Sequence, residues 1–262
     1  MVVKRRNVVN RGGLLPAGER RVYGFHPVTE WVRSRPGDLK ALHYDSRATT
    51  RLAALLGMGR DAGVRLQPSD EPTLTALAGS ARHQGIVAIA QPFPYVELEQ
   101  MTAGVPRLLI VADQVQDPHN LGALLRTAEA VGAGGVILPK DGAVNITAVV
   151  EAAAAGAAAV VPVCRVTNTA RTLQMLKKVG YWSVGLIPKG GANLYEAELP
   201  EQVVVVVGGE AGMRPLVARQ CDFAVSIPML GRIEALNASV AAAVVLYEVV
   251  RRWQRWSGKR GI

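Results

Sequence analysis

The second part of the chain repeats one pattern that few folds accommodate: short runs of Val, Ile and Leu, each followed by a helical pattern. The clearest run is the five consecutive valines at 203–207. Strands buried on both faces carry such uninterrupted runs, and their alternation with helices is typical of an α/β domain with a parallel sheet. We predict strands at 108–112, 135–138, 160–163, 182–186, 203–207 and 223–227, and helices at 121–131, 148–155, 169–179 and 215–220.

The first part of the chain has weaker signals of a smaller α/β domain. The segment that begins at Val22 is helix-like, and Pro92 and Pro94 interrupt the pattern before the second domain. Strands are expected at 41–44, 64–66 and 85–90, and helices at 49–63 and 71–78. We therefore expect a basic tail at 1–21, a domain at 22–93, a linker at 94–106, a larger domain at 107–256 and a second basic tail at 257–262.

Positive charge is concentrated at the two ends of the 262-residue chain, whose formal net charge is +9. Residues 1–21 hold six basic side chains and one acidic, and residues 251–262 hold five basic and none acidic. Basic tails on a near-neutral body favour a polyanion such as nucleic acid, with Arg5 and Arg6 as candidate contacts. The alternative is that the tails aid solubility or pack on a partner subunit. Trp253 and Trp256 are expected either to stack on bases or to dock on the fold.

Composition excludes several classes of protein. No apolar run reaches about 18 residues, so we expect no membrane span. Two cysteines are too few for a disulfide framework or a metal cluster, so no metal site is predicted. The first residues, MVVKRR, lack the apolar segment of a secretory signal, and a cytoplasmic location is expected. Neither a phosphate-binding loop nor a nucleophile elbow is present.

The loop after the first predicted strand of the second domain is a candidate binding site, because ligands bind beyond the carboxyl ends of parallel strands. It contains Asn120, at the expected start of a helix, and Arg126, on the same helix. The structural alternatives are that Asn120 is the helix N-cap and that Arg126 pairs with Glu129.

Two later loops have the same placement. The loop after 203–207 contains Gly208, which would let the backbone approach a ligand closely, and Glu210, where we expect solvent access to fall. Structurally, this loop is equally well explained as a tight turn into the next helix. The loop after 223–227 leads to a long apolar helix that Asn237 or Ser239 would cap, unless an anionic or carbonyl-bearing ligand binds at that terminus.

These three loops, in this order, resemble the three motifs of the SpoU/TrmH family of RNA 2′-O-ribose methyltransferases, which belong to the SPOUT class. The matching segments are DPHNLGALLRTA at 117–128, GGEAGMRPL at 208–216, and SIPMLG at 226–231 with LNASVA at 236–241. The segments VYGFHPV at 22–28 and HQGIVA at 83–88 resemble the RNA-binding domain of the 23S rRNA guanosine 2′-O-methyltransferases, which has a ribosomal-protein-like α/β fold.

The resemblance implies S-adenosylmethionine as cofactor, a homodimer, and a deep trefoil knot in the C-terminal domain. By motif position it implies cofactor contacts at Gly208, Ile227, Met229 and Leu236. It implies an active site made of Asn120, Arg126, Glu210 and Asn237. The substrate implied is structured RNA, most simply 23S rRNA, with His83 and Gln84 as further candidate RNA contacts or, alternatively, as residues that stabilise a turn.

Two departures from the family pattern keep other readings open. The second motif is one residue shorter than the usual Gly-x-Glu-Gly-x-Gly, and Ala235 occupies the position of a common serine. The alternatives are a tRNA ribose methyltransferase and an RNA-binding protein that has lost most of its catalytic activity. For Arg126 we favour a role in organising phosphate and oxyanion over that of a base, since arginine normally stays protonated.

Overall fold

The computed structural model describes residues 18–47 and 50–256. They form two compact units, with the boundary between Pro92 and Phe93. None of the helices in these two ranges is both long enough and apolar enough to cross a bilayer.

The first unit contains a four-stranded sheet with helices packed on it. The strand order is β1-β4-β2-β3, in which only β2 and β3 are parallel neighbours. Its elements are β1 (Arg20–Tyr23), α1 (Phe25–Ser34), β2 (Leu39–Asp45), α2 (Thr50–Asp61), β3 (Arg65–Ser69), α3 (Glu71–Ala78) and β4 (Ile86–Ala90), with short 3-10 helices at Pro36–Asp38 and Ala81–His83.

The start of the first unit corrects two expectations. The segment from Val22 begins as a strand and not as a helix, because Val22 and Tyr23 pair with β4. Arg20 and Arg21, assigned to the basic tail, belong to that same strand. The Arg20 guanidinium lies 4.0 Å from the centre of the Trp31 ring, and Arg21 donates to the Leu77 carbonyl. Both arginines are therefore structural parts of the unit.

The second unit is built on a seven-stranded sheet in which every pair of neighbouring strands is parallel. The order is β7-β6-β5-β10-β8-β11-β9. The elements are α4 (Leu98–Thr102), β5 (Leu108–Asp113), α5 (Pro118–Ala130), β6 (Val136–Pro139), α6 (Ala148–Ala154), α7 (Ala157–Val160), β7 (Val163–Val166), α8 (Thr169–Lys178), β8 (Trp182–Leu186), β9 (Ala192–Asn193), β10 (Val203–Gly208), α9 (Pro215–Gln220), β11 (Phe223–Ser226) and α10 (Ala238–Trp256).

The central strands explain why the apolar runs are continuous. Val203, Val205 and Val207 of β10 pack in one hydrophobic cluster, while Val204 and Val206 pack in another on the opposite face. Side chains from α5 and α10 complete the first cluster, and side chains from α4, α8 and α9 complete the second. Each face therefore excludes water, as a parallel sheet requires.

Two predicted segments of this unit differ in the structure. The run at 160–163 is not a strand: Val160 ends α7, and β7 begins only at Val163. The alanines before Val160 favour a helix, and Pro162 precedes the strand without an amide hydrogen of its own. The expected linker at 94–106 is also wrong, because Val96 bridges to Cys164 and Met101 of α4 is buried in the second cluster.

Candidate active site

A cavity of about 270 Å³ opens beside the carboxyl ends of β8, β10 and β11. All four residues predicted to contact a cofactor line this cavity, and two of the predicted catalytic residues do so as well. They are Gly208, Ile227, Met229 and Leu236, with Glu210 and Asn237. Residues far apart in sequence meet here because neighbouring parallel strands end at the same edge of the sheet.

Backbone packing makes glycine necessary at two of the lining positions. A Cβ atom at Gly208 would lie 2.3 Å from the carbonyl carbon of Gly212, and one at Gly209 would lie 2.1 Å from the Gln114 carbonyl oxygen. Since neither neighbour is the flexible end of a side chain, a larger residue would push the backbone segments apart. The cavity wall at Gly208 and Gly209 is thus bare main chain.

Asn120 joins the first loop to the third. The N-cap of α5 is Asp117, whose side chain accepts from the His119 amide, so the alternative that Asn120 caps this helix is wrong. Asn120 is buried, and its Oδ1 accepts a 2.9 Å hydrogen bond from Nδ2 of Asn237. The link places two predicted active-site amides in direct contact.

Asn237 also caps the last helix. Its Oδ1 accepts from the amides of Ser239 and Val240, at 2.9 and 3.4 Å. The Ser239 hydroxyl donates to the same oxygen. Ala235 lines the cavity and has no hydroxyl. The hydroxyl that bonds to Asn237 comes from Ser239 instead. Asn237 therefore combines the structural role with a position on the cavity wall.

The two charged candidates lie at the surface. Glu210 lies on the rim of the cavity and is exposed, so the expectation of reduced solvent access there is wrong. Arg126 is exposed and does not line the cavity, because it lies on the side of α5 opposite its buried residues. Within 18–47 and 50–256 it forms no ion pair, so the structural alternative, a pair with Glu129, is wrong.

The predicted RNA contacts in the first unit are structural residues in part. His83 is only 4% exposed; its Nδ1 accepts from the Gly85 amide, and its Nε2 lies 3.1 Å from the Thr75 hydroxyl. Burial excludes a direct contact between this ring and RNA, which leaves the turn-stabilising alternative. Gln84 is exposed, but its Oε1 accepts from the Phe25 amide at the start of α1. Arg5 and Arg6 lie outside the described residues.

The basic C-terminal segment is partly folded into the second unit. Trp253 docks on the fold, with the Arg107 guanidinium 4.4 Å from its ring centre. Arg251 and Arg252 donate to the Glu248 carboxylate, and these hydrogen bonds lower the pKa of Glu248 to about 2. The side chain of Trp256 and the tail at 257–262 lie outside the described part of the chain.

Sequence reasoning missed the contribution of the loop after β8. Ile187 and Pro188 line the cavity, and the neighbouring Lys189 pairs with Glu234 of the third loop at 2.8 Å. The usable signal was the predicted strand at 182–186, since any parallel strand beside β10 also ends at this edge. Its loop, IPKGGANL at 187–194, carries two glycines and an asparagine, the same residue types that drew attention to the other three loops.

The parallel sheet, the backbone-lined cavity and the Asn120–Asn237 link define the class of protein. Residues 107–247 match the model of the SpoU rRNA Methylase family, and residues 21–96 match that of an RNA 2'-O ribose methyltransferase substrate binding domain. The chain belongs to the SpoU rRNA methylase family. The deep trefoil knot expected above is a property of the SPOUT fold that this family has.

Similar proteins include the 23S rRNA (guanosine-2'-O-)-methyltransferase RlmB of Ralstonia nicotianae, 43% identical over 87% of this chain and 94% of that one. The enzyme of the same name from Neisseria meningitidis is 39% identical over 90% and 96%. Among solved structures, the SpoU methyltransferase AviRb from Streptomyces viridochromogenes in complex with AdoMet is 26% identical, with a TM-score of 0.78 over 92% of both chains. The TrmH/SpoU tRNA modifying enzyme of A. aeolicus, 28% identical with a TM-score of 0.52, covers 61% of this chain and 84% of its own.

Proposed function

We propose that this protein methylates the ribose 2′-hydroxyl of a guanosine in 23S rRNA, with S-adenosylmethionine as methyl donor. The observation that carries the proposal is the single cavity that collects Gly208, Ile227, Met229 and Leu236 beside the Asn120–Asn237 link. The relatives at about 40% identity that share nearly the whole chain have this activity by name.

The cavity fits the proposed methyl donor. Its wall at Gly208 and Gly209 has no side chains, because both glycines pack directly on main chain, so peptide groups are available to a ligand's polar edge. Leu186, Val207 and Met229 add an apolar surface, as small-molecule sites commonly have. When bound, S-adenosylmethionine supplies a positively charged sulfonium whose methyl group accepts attack by an oxygen nucleophile.

The chain's own residues would align the ribose, and the proton of its 2′-hydroxyl would pass to water at the exposed rim of the cavity. Arg126 would bind a phosphate and the developing 2′-oxyanion, which it suits because guanidinium donates charge-assisted hydrogen bonds. Glu210, on the rim, would orient the ribose or the arginine. Asn120 and Asn237 hold the third loop beside the cavity, and most of the rate gain would come from such positioning.

We also propose that two copies of the chain associate and complete the site. Val240 and Tyr247 of α10, seven residues apart on one helical face, are exposed, and Tyr195 is exposed in the groove that Tyr247 lines with Val131. Apolar side chains clustered in this way favour a protein partner. Arg126 lies on the neighbouring helix and outside its own cavity, so we propose that it serves the cavity of the second copy.

A mixture of two inactive variants tests this arrangement. If Arg126 acts across the interface, Arg126→Ala and Glu210→Ala chains mixed as dimers should recover about a quarter of wild-type turnover, because half of the sites in half of the dimers are intact. Arg126 acting within its own subunit would give no recovery. Light scattering measures the dimer itself: we expect the mass of two chains for the wild type and of one chain for Tyr247→Arg.

The first unit would select the RNA. The tRNA-modifying neighbour from A. aeolicus covers only 61% of this chain, whereas the substrate-binding model matches 21–96. This extra unit favours ribosomal RNA over tRNA, and a ribosomal substrate in turn favours a cytoplasmic location. Structured RNA is read through exposed loops and 2′-hydroxyls, so we expect contacts on exposed side chains of this unit and not on His83.

The decisive experiment is methyl transfer from labelled S-adenosylmethionine to total RNA, followed by mapping of the modified ribose. Label at a guanosine of 23S rRNA is the expected result. Label confined to tRNA would favour the alternative substrate. Binding of S-adenosylhomocysteine without transfer to any RNA would favour the catalytically weak binder.

A further inference from the structure

Asp113, the last residue of β5, is a fully buried acid that none of the motifs accounts for. Its carboxylate accepts three hydrogen bonds from one residue, Arg214: from the main-chain amide to Oδ2 at 2.8 Å, and from Nε and Nη2 to Oδ1, the former at 2.9 Å. A buried carboxylate needs such compensation, because an unpaired charge in the interior costs several kcal/mol.

The same residue binds the other end of the loop at 208–214. The Gly209 amide donates to the Asp113 carbonyl at 2.9 Å, and the Gly212 amide donates back to the Gly209 carbonyl at 2.9 Å. Asp113 thus ties the beginning of the loop through its main chain and the end of the loop through its side chain. Between these ties lie Glu210 and Gly212, both of which line the cavity.

Thr169 extends the link to a third element. Arg214 Nη2 donates to the Thr169 hydroxyl at 2.8 Å, and Thr169 is the buried first residue of α8. Arginine fits this position because its planar fork donates to two acceptors at once, which a lysine ammonium cannot reproduce from the same place.

We propose that Arg214 is a positioning residue: held by Asp113 and Thr169, it sets the conformation of the loop at 208–214 and therefore the cavity wall that faces the methyl donor. The inference rests on the proposed function. The second motif is one residue shorter than the usual pattern, so a fixed anchor at each end leaves the loop little choice of conformation.

The test compares wild type with Arg214→Lys, which keeps the positive charge beside Asp113 and loses the fork. We expect Arg214→Lys to bind S-adenosylhomocysteine about tenfold more weakly by calorimetry, equivalent to one charge-assisted hydrogen bond. KM for S-adenosylmethionine should rise equally, while KM for RNA stays within about twofold. In the ligand-free protein, amide exchange at 209–212 should quicken while exchange at β10 stays unchanged.

Two further variants keep the proposal falsifiable if Arg214→Lys folds poorly. Thr169→Val removes one acceptor and should weaken binding about threefold; Arg219→Lys, an exposed arginine on α9, is the matched control and should change nothing. Unchanged affinity and unchanged exchange in Arg214→Lys would overturn the inference, as would an equal rise in both KM values. If wild type itself does not bind S-adenosylhomocysteine, the proposed function fails, and amide exchange at 209–212 still decides the inference.

Discussion

The two loops that face each other across the cavity are held in different ways. The loop at 208–214 is tied at both ends to Asp113 and packs main chain against main chain. The loop at 227–237 is tied by side chains, through Asn237 to Asn120 and through Glu234 to Lys189. No other described residue forms a main-chain hydrogen bond with positions 228–236, and Leu230 is fully exposed. One wall is therefore fixed by the backbone, whereas the other is held mainly by side chains.

The largest effect should come from adding one methyl group to the fixed wall. Gly209→Ala would bring a Cβ atom to 2.1 Å from the Gln114 carbonyl oxygen. Overpacking of this kind costs up to about 3 kcal/mol, so we expect S-adenosylhomocysteine to bind about a hundredfold more weakly. Calorimetry measures the affinity, and circular dichroism confirms that the variant is folded.

The matched control is Gly231→Ala on the opposite loop. Nothing lies within 4 Å of a Cβ atom at Gly231, and its backbone is outside the left-handed region. We expect its affinity to stay within about twofold of wild type, since open space imposes no packing cost. A large loss in Gly231→Ala would mean that the third loop is fixed as firmly as the second.

The side-chain tie of the third loop should matter less than the backbone packing of the second. Asn237→Ala removes the cap of α10 and the hydrogen bond to Asn120, each worth about 1 kcal/mol. We expect kcat/KM to fall about thirtyfold, equivalent to that sum. Ser239→Ala removes only a hydroxyl from the same cluster, and we expect a loss of about threefold at most. Equal losses in the two variants would contradict a specific role of the Asn120–Asn237 link.

The difference between the two loops also marks what sequence could predict. The valine run at 203–207 predicted a buried central strand, because a short uninterrupted run of valines fits few structures other than a strand buried on both faces. The strand edge then placed Gly208 and Asn237 in one cavity. Solvent exposure, however, could not be predicted from residue type. Glu210 is exposed and His83 is buried, because exposure depends on packing that no local sequence pattern encodes.

The remaining errors share a cause, which is that partners distant in sequence decide local roles. Arg20 and Arg21 count as a charged tail until β4 pairs with their strand. Asn120 is a good cap residue, yet Asp117 caps α5 and Asn120 bonds to a residue 117 positions later. The ties from Asp113 to Arg214 were invisible for the same reason, since 101 positions separate the two.

Acid should lower the stability of the second unit through Glu248 of α10. The exposed pair of the third loop, Lys189 with Glu234, should contribute little to this loss. Hydrogen bonds from Arg251 and Arg252 lower the pKa of Glu248 from 4.5 to about 2. A lowered pKa in the folded state means that the stabilisation is complete above about pH 4.5 and is lost as the pH falls toward 2. We expect Glu248→Gln to lower the free energy of unfolding by about 2 kcal/mol at pH 7.

Urea unfolding at several pH values checks the sign. The difference between wild type and Glu248→Gln should shrink by more than half between pH 7 and about pH 3, because the unfolded state of wild type binds a proton there while folded Glu248, with its pKa of about 2, remains mostly ionised. Glu234→Gln in the exposed pair with Lys189 is the comparison, and its unfolding curve should overlay that of wild type. A pH-independent difference for Glu248→Gln would show that packing, and not charge, accounts for its effect.

The smallest effect is expected at the exposed tie between the two loops that border the cavity. The Lys189 and Glu234 side chains are 68% and 78% exposed, so water and salt screen their attraction. Lys189→Ala should weaken S-adenosylhomocysteine binding by less than about twofold at physiological salt, and the difference should vanish at about 1 M salt. A tenfold loss that persists in high salt would contradict the comparison, because the third loop would then depend on this pair for its position. Calorimetric titration at both salt concentrations, with Lys178→Ala as the control for an exposed lysine elsewhere, separates the two outcomes.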